Sequence, residues 1–256
     1  MGKVIFQLII AVAIFFLTWF GLSKADWINT LNVKQTTKTT EEKLGDLFWE
    51  IYNKAEREIH RKKIINPVDS LLSKICSENK IDRSTIKLHI VMNSEVNAYT
   101  LPNRHLVIFS GLILSCKNEE ELCGVLGHEI GHMENDHVMK KLIKEVGLTV
   151  LISATAGSSG GGQAIKELAK TVTSTAYDRE MEHEADLSSV SYLINAGINP
   201  KPFADFLLRL SQETKHLPKQ FFWVTTHPDS EERAEGIYEF LSLIHISEPT
   251  RLRRIS

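Results

Sequence analysis

A His-Glu-x-x-His pentapeptide, His128-Glu129-Ile130-Gly131-His132, constrains this chain more than any other stretch of it. On an α-helix, residues four apart lie one above the other, so two imidazoles can converge on a single metal ion. The glutamate between them points sideways from that pair, within reach of a proton on a metal-bound water. A chain of 256 residues with ten histidines can also produce such a pentapeptide by accident, so its surroundings must decide.

Those surroundings predict a helix. Asn118 is a good N-cap, and Glu121 three residues later completes a capping-box pattern. Glu119 and Glu120 put negative charge in the first turn, where the helix dipole favours it. Leu122, Val125, Leu126, Ile130 and Met133 recur at helical spacing, and Lys140, Lys141 and Lys144 load the far end with positive charge. The pattern is that of one long helix with the pentapeptide in its middle. His137, five residues past His132, is then turned away from the ligand face, with a surface or supporting role and not zinc binding.

A catalytic zinc takes three protein ligands and keeps one position for water. The run Tyr177-Asp178-Arg179-Glu180-Met181-Glu182-His183-Glu184-Ala185-Asp186 offers the third ligand. A second helix there can deliver Glu182. Asp186, one turn later on the same side, can accept the free N–H of a ligand histidine and fix its tautomer. Composition alone does not choose among Glu180, Glu182, Glu184 and His183, and most such acidic runs are solvated helix faces.

Taken together, His128–His132 and Glu182-x-x-x-Asp186 some fifty residues on resemble zinc metallopeptidase family forty-eight, which includes the HtpX-type and CAAX prenyl-protein proteases. Asn97-Ala98-Tyr99-Thr100-Leu101-Pro102 with His105–Leu112 is similar to the paired strands ahead of that family's motif helix. Thr226-His227-Pro228 with Arg233 is similar to its late Ser/Thr-His-Pro…Arg element, and the likeness runs from about residue 65 to 240. The resemblance implies Glu182 as third ligand to one zinc ion beside His128 and His132. It also implies a metalloendopeptidase with Glu129 as general base.

His227 then has two candidate roles. It can donate to the tetrahedral oxyanion, a contribution of about 3 kcal/mol, or it can occupy the open zinc position at rest and move away on activation. Arg233 supports either role through its charge, or pairs with an acid of its own predicted helix, Glu231–Glu239. Tyr177 is a further oxyanion candidate.

The expected fold is α+β, a mostly helical zincin-like domain with a small antiparallel sheet beside the zinc helix. Lys87–Met92 and Leu106–Phe109 read as strands. An unpaired edge there can take an extended polypeptide substrate as one more strand, with Asn97, Ala98 and Tyr99 as its contacts. His89 and His105 read as packed or exposed histidines rather than ligands. The same cleft also permits a different class of function, a non-proteolytic chaperone or assembly factor that holds client strands.

Val4–Leu22 is almost wholly apolar, with Gln7 and Thr18 the clearly polar interruptions, and at about 1.5 Å per residue it matches a bilayer core. It is expected to be an uncleaved membrane anchor, with the catalytic domain outside the cytoplasm. Cleavage near Ser23-Lys24-Ala25, giving a secreted or periplasmic protein, is the rival expectation.

The expected division is therefore 1–25 anchor or signal segment, 26–40 linker, 41–242 metallopeptidase domain and 243–256 a non-native, adapter-like tail, with the natural C-terminus missing. Glu41–Lys63 and Asp69–Glu78 read as helices, as do Pro202–Leu210 and Glu231–Leu243. Gly157–Gly162 lacks the Gly-Lys-Ser/Thr ending of a phosphate loop and reads as a flexible flap near the cleft. A net charge of −2 with scattered basic residues leaves no nucleic-acid footprint, and Cys76, Cys116 and Cys123 form no metal-binding pair.

Overall fold

The computed structural model describes residues 33–156, 161–214 and 222–252. The chain divides into two compact units, Met1–Thr39 and Thr40–Ser256. The expected anchor Val4–Leu22 lies outside the described residues, as do positions 157–160 of the glycine run. Among the described residues no helix is long and apolar enough to cross a membrane.

Helix α1 (Val33–Ala55) begins inside the stretch read as a linker and stops short of the predicted Lys63. The sheet claims the residues that follow. Ile59 N–H donates to Ile90 O at 2.7 Å, and Met92 N–H donates to Arg57 O at 2.8 Å. An edge strand with open backbone groups has overridden the helical periodicity here. Helix α2 (Lys62–Glu78) then leads to the strands.

Strands β1 (Lys87–Val91), β2 (Ala98–Leu101) and β3 (His105–Phe109) form a sheet in the order β1-β3-β2. The sheet is mixed, which corrects the antiparallel expectation: β2 pairs with β3 antiparallel, but β1 pairs with β3 parallel. Alternating apolar residues mark a strand without revealing its partner's direction. The β2–β3 hairpin turns through Asn103 and Arg104, both with positive φ. β2 is left at the sheet's edge.

Side chains alternate across the sheet. Ile90, Ala98, Leu106 and Ile108 join one core cluster with α2 and the motif helix, while Val91, Tyr99, Leu101, Val107 and Phe109 join another with Leu44 and Phe48 of α1. After the short α3 (Ser110–Ser115) comes the motif helix, α4 (Glu119–Glu134), in which every residue from Glu121 to Met133 is buried. Asn118 caps it as predicted, accepting from Glu121 N–H at 2.9 Å. The Glu121 carboxylate accepts instead from Lys117 N–H at 2.8 Å and pairs with Arg209, so the reciprocal half of the capping box is not made.

The predicted long helix is two helices. Asp136 adopts the left-handed conformation (φ 54°, ψ 28°), α4 ends at Glu134, and α5 (His137–Val146) leaves in a new direction. Asparagine and aspartate tolerate this region better than most residues. Helices α6 (Leu148–Ala156) and α7 (Gly161–Ser174) follow, then α8 (Arg179–Asn195), α9 (Lys201–Thr214), α10 (Phe222–Thr226) and α11 (Ser230–Leu252).

Two glycines of α4 set how near α8 can come. A Cβ on Gly127 would stand 2.8 Å from Ser189 Oγ, and one on Gly131, within the pentapeptide, 3.0 Å from Ala185 Cα. Ser189 donates to Gly124 O at 2.8 Å across the same seam. This close approach carries Glu182 and Asp186 to the histidines.

Candidate metal centre

Four side chains converge at the centre of the domain: His128 and His132 from α4, Glu182 from α8 and His227 just past α10. All are buried. Nε2 of His128 lies 3.0 Å from Nε2 of His132 and 3.2 Å from Nδ1 of His227. Glu182 Oε1 stands 2.9 Å from His227 Nδ1 and 3.3 Å from His132 Nε2. A tetrahedral zinc with ligands at its usual distances separates its donor atoms by about 3.3 Å, so these atoms fit such an ion. Imidazole nitrogen with carboxylate oxygen is also a donor set that suits zinc.

Charge points the same way. Glu129, Glu182, Asp186 and Arg233 are buried together, and the three carboxylates outnumber the guanidinium and the buried Lys141 ammonium that interacts with Glu182 and Glu129. Burial pushes Glu182 toward protonation, but His227 and Arg233 outweigh it and hold the carboxyl well below the ordinary range. Asp186 is likewise lowered, Arg233 overcoming its burial. Burial, reinforced by Arg233, pushes His128 down to about 4, so its ring is neutral. A surplus of buried carboxylates around these donor atoms suits a bound cation.

Asp186 takes the supporting position read for it, with Oδ1 2.9 Å from His128 Nδ1. Arg233 grips Asp186 with two bonds of 2.8 and 2.7 Å and reaches Glu182 Oε2 at 2.6 Å. Its guanidinium is therefore a clamp behind the carboxylates, and it also donates to His227 O at 3.4 Å.

Glu129 is held at both oxygens. Thr100 Oγ1 donates to Oε2 at 3.0 Å and Trp223 Nε1 donates to Oε1 at 3.3 Å, with His227 Nε2 3.4 Å from Oε1. Burial raises its pKa, but His227 and His132 outweigh this, and the carboxyl is lowered. Neither Thr100 nor Trp223 stood out in the sequence as a partner of Glu129. Thr100 had one available signal, its place between two residues of an edge strand next to the motif helix.

The three expected substrate contacts are all buried. Tyr99 points to the far face of the sheet, where its ring meets Tyr52 and Phe109 at 5.5 and 5.8 Å. What this strand has to offer a peptide is its backbone edge. Asn97 O accepts from Phe109 N–H inside the sheet, so the groups of Val96, Ala98 and Thr100 face outward. Trp223 N–H already occupies Val96 O at 3.2 Å. Tyr177 is stacked 4.1 Å from the His132 ring, with its N–H on Thr226 O.

His137, expected on the surface or in a supporting place, is fully buried, its Nδ1 2.9 Å from Nδ1 of His132. Glu180 and His183 line a cavity of about 300 Å³ between α8 and α11, with Glu182 and Arg233 also on its wall. The three cysteines are free and take no part in the centre.

Residues 66–240 match the model of peptidase family M48. Among known proteins, the chain is 25% identical over 184 residues to mitochondrial metalloendopeptidase OMA1 of Schizosaccharomyces pombe, covering 72% of this chain and 55% of that protein. It is 27% identical to metalloprotease LoiP of Escherichia coli, covering 74% of this chain and 79% of LoiP. The beta-barrel assembly-enhancing protease of E. coli is 23% identical, covering 65% of this chain and 36% of that protein. The chain thus spans little more than half of the first relative and about a third of the last.

Proposed function

The chain belongs to peptidase family M48, and from that premise we propose that it is a zinc-dependent endopeptidase acting on extended or misfolded polypeptides. One observation carries the reading: four buried donor atoms converge at zinc spacing beside a carboxylate that is not among them. A zinc ion bound there supplies the acidity that brings a water's pKa to about 7 and polarises the scissile carbonyl. His128, His132 and Glu182 would hold it. Glu129 takes the water's proton on Oε1 and delivers it to the leaving amine, while Thr100 keeps Oε2 in place. The substrate lies as a strand along the open edge of β2.

The segment 222–227 touches this machinery at three points. Trp223 N–H sits on the edge at Val96 O, its indole sits on Glu129, and His227 fills the fourth corner of the donor set. This supports His227 as the resting occupant of the open position rather than an oxyanion donor. A substrate strand must displace the segment. His227→Ala should then raise turnover on an unfolded protein; a fall of about a hundredfold would favour the oxyanion role.

The relative named as a beta-barrel assembly-enhancing protease and the apolar stretch Val4–Leu22 support envelope polypeptides as substrates. That stretch would anchor the domain on the extracytoplasmic side. The test is to incubate the zinc-loaded full chain with an unfolded protein, with and without a chelator. Chelator-sensitive fragments are expected, and binding of the client without cleavage would favour the holding role.

A further inference from the structure

The two histidines of the pentapeptide turn their Nε2 atoms to the donor cluster, which leaves both Nδ1 atoms to the protein. His128 Nδ1 meets a carboxylate directly, that of Asp186. His132 Nδ1 meets another imidazole: it lies 2.9 Å from His137 Nδ1, and His137 Nε2 lies 3.1 Å from Glu184 Oε2.

Proton bookkeeping orders this row. A His132 that offers its Nε2 lone pair to a metal carries its proton on Nδ1. His137 Nδ1 must then accept, so the His137 proton sits on Nε2 and is donated to Glu184. One arrangement of tautomers satisfies every contact. His137 has no exposed surface, whereas the Glu184 side chain is about half exposed, so the row runs from the buried ligand to the solvent boundary.

The backbone is bent to make this row. On an unbroken helix His137 would lie about 140° around the axis from His132. The left-handed Asp136 starts a new helix and swings His137 back toward the ligand. A strained non-glycine residue beside a site is where conformational cost is found held for function. The ring stays out of the donor cluster itself, since its Nδ1 is spent on His132.

Resting on the zinc reading above, we propose that His137, oriented by Glu184, is a positioning residue that holds His132 in its Nδ1–H tautomer and aims Nε2 at the metal. The device is the familiar carboxylate–histidine–metal row with one imidazole inserted, and partners of this kind change metal affinity about 10–100-fold.

Two measurements on the full chain test it. Long-range proton–nitrogen correlation on metal-free, ¹⁵N-histidine-labelled protein reads the His132 tautomer. Nδ1–H is expected, and Nε2–H overturns the proposal without any variant having to fold. Zinc affinity by chelator competition is then compared in His137→Leu, His137→Asn and Glu184→Ala. Leucine should weaken zinc about 10–100-fold, asparagine, whose carbonyl can accept where Nδ1 does, should keep most of the affinity, and Glu184→Ala should have the smaller effect because water can replace a half-exposed partner. His137→Leu binding zinc as tightly as wild type also overturns it. A wild-type chain that binds no zinc would sink the metal reading instead, and the tautomer would still judge the row.

Discussion

Two histidine clusters lie on opposite faces of the same three-stranded sheet, and only one has the makings of a metal site. On the α4 face, three imidazole nitrogens and a carboxylate oxygen converge, with four of their separations at 2.9–3.3 Å. On the other face, Glu58, His89, His105 and Lys87 form a line: Glu58 Oε1 to His89 Nδ1 is 2.8 Å, His89 Nε2 to His105 Nδ1 2.9 Å, and His105 Nε2 to Lys87 Nζ 3.2 Å. Read from its charged ends, the line is a chain of donors and acceptors. Lys87 donates to His105, His105 to His89 and His89 to Glu58, while Asp46 holds Lys87 at 2.9 Å. Each ring nitrogen is already committed, and an ammonium stands where a cation would have to go. Convergence of free lone pairs, more than the number of histidines, separates a ligand set from a structural staple.

The largest effect expected from breaking this contrast comes from the clamp. Arg233→Met leaves Glu182 and Asp186 buried without their partner, and urea unfolding of the metal-free chain should show a loss of about 3–5 kcal/mol. Glu182→Leu removes a donor from the convergent set. Its zinc affinity should fall by more than the roughly 100-fold that loss of a supporting partner costs, which chelator competition would measure. His89→Leu cuts the linear chain instead, leaving a donor on His105 and the carboxylate of Glu58 short of a bond. A stability loss of about 1–3 kcal/mol is expected with zinc affinity unchanged, and a drop in zinc affinity would break the distinction between the clusters.

The smallest expected effect is on pH dependence. Burial, with Lys87 and His89 adding to it, pushes His105 down to about 4, below its ordinary value. Between about 6.5 and 4 the unfolded chain binds a proton that the fold excludes, so stability is full above that window and falls as the medium is acidified through it. Urea midpoints at about pH 7.5 and about pH 5 should differ less in His105→Gln than in wild type.

Much of the donor cluster was legible because its spacing is a property of one helix. His128, Glu129 and His132 follow from residues four apart, and Asp186 from its place one turn beyond Glu182. What failed to show in the sequence depends on backbone events with no periodic signal. The left-handed Asp136 ended the predicted long helix and brought His137 to His132. The 57–59 strap on β1 ended α1 early, and the parallel β1–β3 pairing was invisible to an alternation of apolar residues. Arg233 was expected to support His227 through its charge or to pair with an acid of its own helix, and its bonds to Asp186 and Glu182 depend on where α11 lands, a tertiary fact. Thr100 and Trp223 meet Glu129 across 29 and 94 residues of sequence, respectively.

Everything proposed for this site turns on Glu129 as the base beside a zinc held by its neighbours. The most direct measurement is bound zinc and peptide cleavage in Glu129→Gln, measured on the same preparation of the full chain. About one zinc per chain is expected, as in wild type, with cleavage reduced by about 10²–10⁴-fold. Undiminished cleavage with zinc content confirmed would contradict it.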